Sequence, residues 1–260
     1  MAQSIQTSTL ERLLKRDRAV ILAALLAASL LAWSYIAAGI GMDMDAMTMP
    51  DMAMPADWTP AYFALMLAMW AVMMVAMMLP SAAPMVLLFA TLERRRHAAS
   101  PFWATTLFAS AYLVVWSGFS LAATVFQWQL DRLAQLTPML VTTNAVLAAI
   151  VLIAAGAYQF TPLKQACLRG CRSPIEFVSR YWSRGAFGIG LFHGLYCLGC
   201  CWMLMLLLFV GGAMNLIWVA LIAAFILAEK IAPHGKWVSY MAGMALIAGG
   251  AWVLYARTVA

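Results

Sequence analysis

Apolar stretches long enough to cross a bilayer recur along the chain, separated by short polar breaks. A membrane helix needs about 20 apolar residues to cover about 30 Å of hydrocarbon. The first stretch runs from Ala19 to about Gly39, and the second from Ala61 through Leu79, past Pro80 and Pro84, towards Leu92. A third covers about Phe102 to Phe126, a fourth Leu140 to Phe160, and a fifth Ala186 to Val210. After Gly211-Gly212-Ala213 comes a sixth, about Met214 to Leu227, and a seventh from Trp237 to Tyr255. The sixth is short and ends in Glu229-Lys230. The runs are continuous rather than alternating with period two, which excludes a transmembrane barrel. The predicted fold is all-α: a polytopic bundle of seven spans, forming a single membrane domain over residues 1–260.

The positions of the charges orient this bundle. With the N-terminus in the cytoplasm, the inner segments hold Arg12, Lys15, Arg16, Arg18, Arg94, Arg95, Arg96, Lys164, Arg169, Arg172, Arg180, Arg184, Lys230 and Lys236. Only Arg132 and Arg257 remain for the outer side. Cytoplasmic loops carry the Lys/Arg excess, so the reading is N-terminus in, C-terminus periplasmic, in a bacterial inner membrane. Residues 1–18 are then a cytoplasmic tail, 41–60 a periplasmic loop and 161–185 a cytoplasmic loop. The first span is too long, and lacks the small-residue cleavage site, for a removed signal. Composition agrees: 65% of the 260 residues are hydrophobic and 10% charged, against about 45–50% and about 25% in soluble domains. A mean hydropathy of +0.88 excludes intrinsic disorder as well. The net charge of +6 is accounted for by topology and calls for no nucleic-acid partner.

Twenty Met and five Cys stand against three His. Residues 42–55 read MDMDAMTMPDMAMP, in which six of fourteen residues are Met, among them Met44, Met47, Met49 and Met52, and three are Asp: Asp43, Asp45 and Asp51. Thioethers are soft ligands that select Cu(I) and survive in an oxidising compartment; the interleaved carboxylates concentrate cations. The alternative is an interfacial loop whose Met residues lie on lipid. In the second span, Met66, Met69, Met73 and Met77 fall within about 80° of one another on a helix, with Met74 and Met78 alongside. Such a seam is either core packing or a thioether ladder descending from the outer loop. Pro80 and Pro84 remove backbone donors below it.

The fifth span carries HGLYCLGCCW. At 100° per residue, His193, Cys197 and Cys200 share one face on successive turns, with Cys201 flanking them. A histidine inside a span marks a functional site by default, and the donor set suits Cu(I) or zinc. A Cys197–Cys200 redox pair and plain small-residue packing remain as alternatives. A vicinal Cys200–Cys201 disulfide is disfavoured by strain. Cys167 and Cys171, four residues apart in the inner segment CLRGC, form a second soft-metal pair, in a compartment where disulfides are rare. Glu229 and His234, with Lys230, read first as a solvated helix end.

Three separated motifs resemble one bacterial family of predicted metal-binding integral membrane proteins, the domain of unknown function 2182. They are WAVMMVAMMLPSAAPM (Trp70–Met85), YQFTPLKQACLRGCRSP (Tyr158–Pro174) and HGLYCLGCCWMLMLLLFVGGAMNL (His193–Leu216) with the following Glu229-Lys230. The resemblance spans roughly residues 60–235. It implies a multi-pass protein with a metal, and as candidate ligands the second-span Met residues, Cys167, Cys171, His193, Cys197, Cys200 and Glu229. The 42–55 loop lies outside the pattern.

These observations converge on an inner-membrane protein that binds and relays a soft metal, Cu(I) foremost, rather than on an enzyme. Its partners would be the bilayer and either other membrane subunits or a periplasmic copper chaperone. Two alternatives stand beside it: a membrane subunit of a metal-dependent oxidoreductase complex acting on an apolar substrate, and a metal-free assembly factor. Three His are few for an oxygen-activating centre, which favours several imidazoles or carboxylates. No P-loop, dinucleotide fingerprint or Ser/His/Asp arrangement occurs.

Overall fold

The computed structural model describes residues 2–39, 58–96, 100–133, 135–137, 139–233 and 235–259. Ten α-helices are found among them: α1 Ala2–Ala37, α2 Pro60–Arg96, α3 Phe102–Arg132, α4 Ala145–Tyr158, α5 Pro162–Arg172, α6 Pro174–Tyr181, α7 Gly185–Leu206, α8 Leu208–Gly211, α9 Leu216–Ile231 and α10 Gly235–Val259. A single 3-10 turn, Trp182–Arg184, links α6 to α7. No strand occurs among the described residues, although one isolated bridge joins Leu136 and Thr142.

Each predicted apolar stretch contains a helix. Five segments are long and apolar enough to cross a membrane: Glu11–Ala37, Pro60–Arg96, Phe102–Arg132, Pro174–Gly211 and Gly235–Val259. A sixth is reached if α4 and α5, bent by 63° at their junction, count as one span. The expected sixth span falls on α9, which has 16 residues, fewer than the about 20 that a full crossing needs. The outward faces are apolar, as Leu31 at 72%, Ile217 at 75% and Trp252 at 68% exposure illustrate. A surface of this kind needs an apolar cover.

Contacts at the helix ends fix how the segments run. At one end, Arg94 of α2 pairs with the buried Asp17 of α1. Arg96 lies over the Trp182 ring, and Arg172 of α5 donates to the carbonyls of Ala232 and Pro233. At the other end, Trp58 Nε1 donates to Asp131 at the close of α3, and Thr142 N to the carbonyl of Phe209. Successive long segments therefore run up and down between two ends, with the basic clusters at the first.

The segment 161–185, expected as a loop, is two short helices and a turn. Thr161 caps α5 by accepting from Lys164 N, and Pro162 occupies the first turn, where its missing N–H costs nothing. Lys164 and Lys230, counted in the sequence as cytoplasmic loop charges, are buried instead. Glu229, read as part of a solvated helix end, is fully buried. Their physical reason is pairing within the bundle, described below.

Candidate metal centre

The site is built where α2 is interrupted chemically but not broken. Pro80 cannot donate to the carbonyl four residues back, and Ser29 of α1 supplies that bond: its Oγ donates to Ala76 O at 3.2 Å. The next turn is polar as well. Ser81 Oγ donates to Met78 O at 2.8 Å, and Tyr112 of α3 donates to the same carbonyl at 3.1 Å. Met66, Met69, Met73, Met74, Met77 and Met78 are all buried. The seam thus lies within the protein rather than on lipid, with Met74 and Met78 as enclosed as the four on the stripe.

Close approach of α3 to α7 is set by glycine. A Cβ on Gly190 would lie 2.1 Å from the Phe108 carbonyl oxygen, and one on Gly194 would lie 2.8 Å from Val115 Cγ2. This brings the Tyr112 hydroxyl, about 15 Å along α3 from its first residue, to 3.1 Å from Cys197 Sγ. From α9, Lys230 Nζ reaches the same sulfur at 2.9 Å and Ser81 Oγ at 2.8 Å. Met78 O, Tyr112, Cys197, Lys230 and Ser81 close a buried ring that draws together α2, α3, α7 and α9.

None of the five cysteines is in a disulfide. Cys200 and Cys201 both donate to the Cys197 carbonyl, at 3.1 and 2.9 Å. Cys171 of α5 interacts with Cys197 and Cys200. Cys167 packs against the Gly199 turn, where an added Cβ would lie 2.7 Å from its Sγ. The bend between α4 and α5 therefore carries the CLRGC pair onto the cysteine face of α7, which the sequence left as two separate clusters. Cys167 and Cys171 are half-buried, and the three α7 cysteines fully buried.

His193 is enclosed by rings: Phe108 and Tyr112 lie against its faces at 5.9 and 5.4 Å, and Phe177 meets it edge-on at 5.7 Å. Both of its nitrogens are buried without a hydrogen-bond partner. An orphaned buried imidazole costs about 1–3 kcal/mol, a cost that a ligand on either nitrogen would remove. Phe177 also walls a pocket of about 320 Å³ between α5 and α6, which Arg169, Glu176, Arg180, Tyr181 and Tyr196 line.

Other candidates fall elsewhere. Glu229 is committed: Lys164 Nζ lies 2.7 Å from its Oε1 and 3.0 Å from its Oε2, and Ser239 Oγ also donates to Oε1. It is the counter-ion of Lys164, which leaves its oxygens engaged as the structure stands. Met44, Met47, Met49, Met52, Asp43, Asp45 and His234 lie outside the described residues. Among the described residues, no group of three or more His, Cys, Asp or Glu is arranged to hold a metal ion as placed. Cu(I), however, is satisfied by two soft donors, and paired thiols are what the cluster offers. Tyr112, Ser81 and Lys164 were missed by sequence reasoning, and nothing in their local pattern marks them.

No curated protein and no solved structure matches the chain. Residues 67–253 match PpoB2, a family described as a copper chaperone. The matched stretch contains the whole ring around Cys197, all five cysteines and His193. The match covers well over half of the sequence, and the chain belongs to this copper chaperone family.

Proposed function

We propose that this protein is a membrane-embedded Cu(I) chaperone whose holding site is Cys197 with a second thiol, Cys200 or Cys171, and with His193 in reserve beside them. The observation that carries this reading is the gathering of three further cysteines, Cys171 of α5 and Cys200 and Cys201 of α7, around Cys197, near an imidazole with two unused nitrogens. Soft donors in a dry interior select a soft monovalent ion. The methionine seam of α2, led by Met69, Met73 and Met77, joins the holding site to the outer side, where the 42–55 segment would collect the ion. Thioethers bind more weakly than thiolates, so copper descends towards Cys197. Cys167, half-buried on α5, is the exit towards the basic end.

The bundle would sit in a bacterial inner membrane with its basic end in the cytoplasm. All seven apolar segments would cross, the two short ones, α4 and α9, by local thinning of the bilayer. A soluble copper carrier on either side, or a copper enzyme in the same membrane, would be the partner.

The test is the copper content of detergent-purified protein loaded with Cu(I) under reductant. Cys197→Ser combined with Cys200→Ser is expected to remove the copper held at Cys197, lowering the copper bound per chain, while leaving the helical content intact. Unchanged copper in that variant overturns the site.

A further inference from the structure

Buried charge is the least expected property of this site. Apart from Asp17, which pairs with Arg94, the buried charged side chains among the described residues are two ammonium groups, Lys164 and Lys230, and one carboxylate, Glu229. Glu229 neutralises Lys164 through a direct contact at 2.7 Å. Lys230 is the next residue along α9, yet it turns away from Glu229 and towards the thiols. Among the described residues its acceptors are Ser81 Oγ and Cys197 Sγ, neither of them a carboxylate. A buried cation is tolerated only when a negative charge faces it, and among the described residues the ionisable acid in direct contact with Lys230 is the Cys197 thiol.

We propose that Lys230 makes the thiol site selective for a monovalent metal ion over a divalent one. The inference rests on the reading of Cys197 as a metal ligand and goes beyond it, because it concerns which charge the site accepts. Two thiolates carry two negative charges. With one Cu(I) the complex keeps a net charge of −1, which the ammonium of Lys230 cancels at a distance of 2.9 Å from the ligating sulfur. With one Zn(II) the bis-thiolate complex is already neutral, and Lys230 is left as an uncompensated cation in a low-dielectric interior. Two thiolates satisfy Cu(I) by number, whereas Zn(II) takes four ligands and would have to recruit further donors here; the charge of Lys230 adds to that preference. Lys230 acts here as a positioning and charge-compensating residue, and it touches the ligand rather than the metal. Its pairing with Ser81 holds it in place, because the Ser81 hydroxyl is itself fixed on Met78 O.

The experiment loads the full-length, detergent-purified protein with Cu(I) under reductant and, separately and in competition, with Zn(II). The readout is the Zn:Cu ratio bound through Cys197, by elemental analysis against the Cys197→Ser variant. Lys230→Met is expected to raise this ratio by about tenfold or more, a shift of about 1.4 kcal/mol. Lys230→Arg, which keeps the charge, is expected to stay near the wild-type ratio. A merely structural role for Lys230 would alter yield in both variants and leave the ratio alone. The proposal is overturned if Lys230→Met binds both metals in the wild-type ratio, or if Lys230→Arg shifts it as far as Lys230→Met. Should Lys230→Met fail to fold, wild-type protein that takes Zn(II) at Cys197 as readily as Cu(I) overturns it equally. If the wild-type protein holds neither metal through Cys197, the holding site itself falls, a result distinct from an unchanged ratio.

Discussion

The ammonium of Lys164 on α5 and the carboxylate of Glu229 on α9 form an ion pair at 2.7 Å with side-chain exposures of 0% and 1%. Ser239 of α10 completes it by donating to the same carboxylate. Three helices are thereby tied at the basic end by one charged contact. Breaking a buried pair from one side leaves an uncompensated charge and costs about 3–5 kcal/mol, whereas replacing both partners with apolar residues is far milder. Lys164→Met should therefore lower the thermal midpoint in detergent sharply, and Lys164→Met with Glu229→Leu should recover most of the loss. Equal losses in the single and double variants would mean that the pair is solvated.

Replacing His193 separates packing from ligation. Its ring sits among Phe108, Tyr112 and Phe177 with both nitrogens unpartnered. His193→Phe removes a buried orphan worth about 1–3 kcal/mol and keeps the aromatic contacts. Thermal stability without metal is expected to hold or rise, while copper affinity falls. A variant as copper-avid as wild type would leave the imidazole with a packing role alone.

Glycine substitutions test the geometry that positions Cys197. Gly190→Ala would drive a methyl group to 2.1 Å from the Phe108 carbonyl oxygen, and forced overpacking of this kind costs about 1–3 kcal/mol or more. Gly118 and Gly249 have nothing within 4 Å of an added Cβ. Alanine at those two positions should be neutral or stabilising by about 0.5–1 kcal/mol. Comparing thermal midpoints of the three variants checks the contrast.

Removal of residues 42–54 addresses the outer methionine segment. The deletion is expected to lower the number of copper ions bound per chain and to slow loading. Copper retained at Cys197 should be unaffected, since the buried ring is held together by α2, α3, α7 and α9. Elemental analysis at saturation and stopped-flow loading measure the two effects.

Hydrophobic pattern located the helices well, because apolar length is a local property. The third predicted stretch begins at Phe102, as α3 does, and the fifth matches α7 and α8 closely. Local charge misled at Lys164, Lys230 and Glu229. A charged residue at a helix end reads as solvated unless its partner is visible, and Lys164 and Glu229 lie 65 positions apart. Helical spacing placed His193, Cys197 and Cys200 on one face of α7. It could not bring Cys171 to them, since that depends on the 63° bend between α4 and α5. Nor does a single tyrosine in an apolar span, such as Tyr112, differ in sequence from a residue that merely fills space.

The approach of Gly190 to Phe108 has a wider consequence. Main-chain atoms set the gap between α3 and α7 there, and main chain is common to every sequence. Side chains around the thiols can drift without changing how far Tyr112 stands from Cys197, as long as that glycine persists. The protein carries its own gauge block, cut from backbone, and a donor atom held against such a reference keeps its reach through substitutions that would loosen a gap defined by side chains.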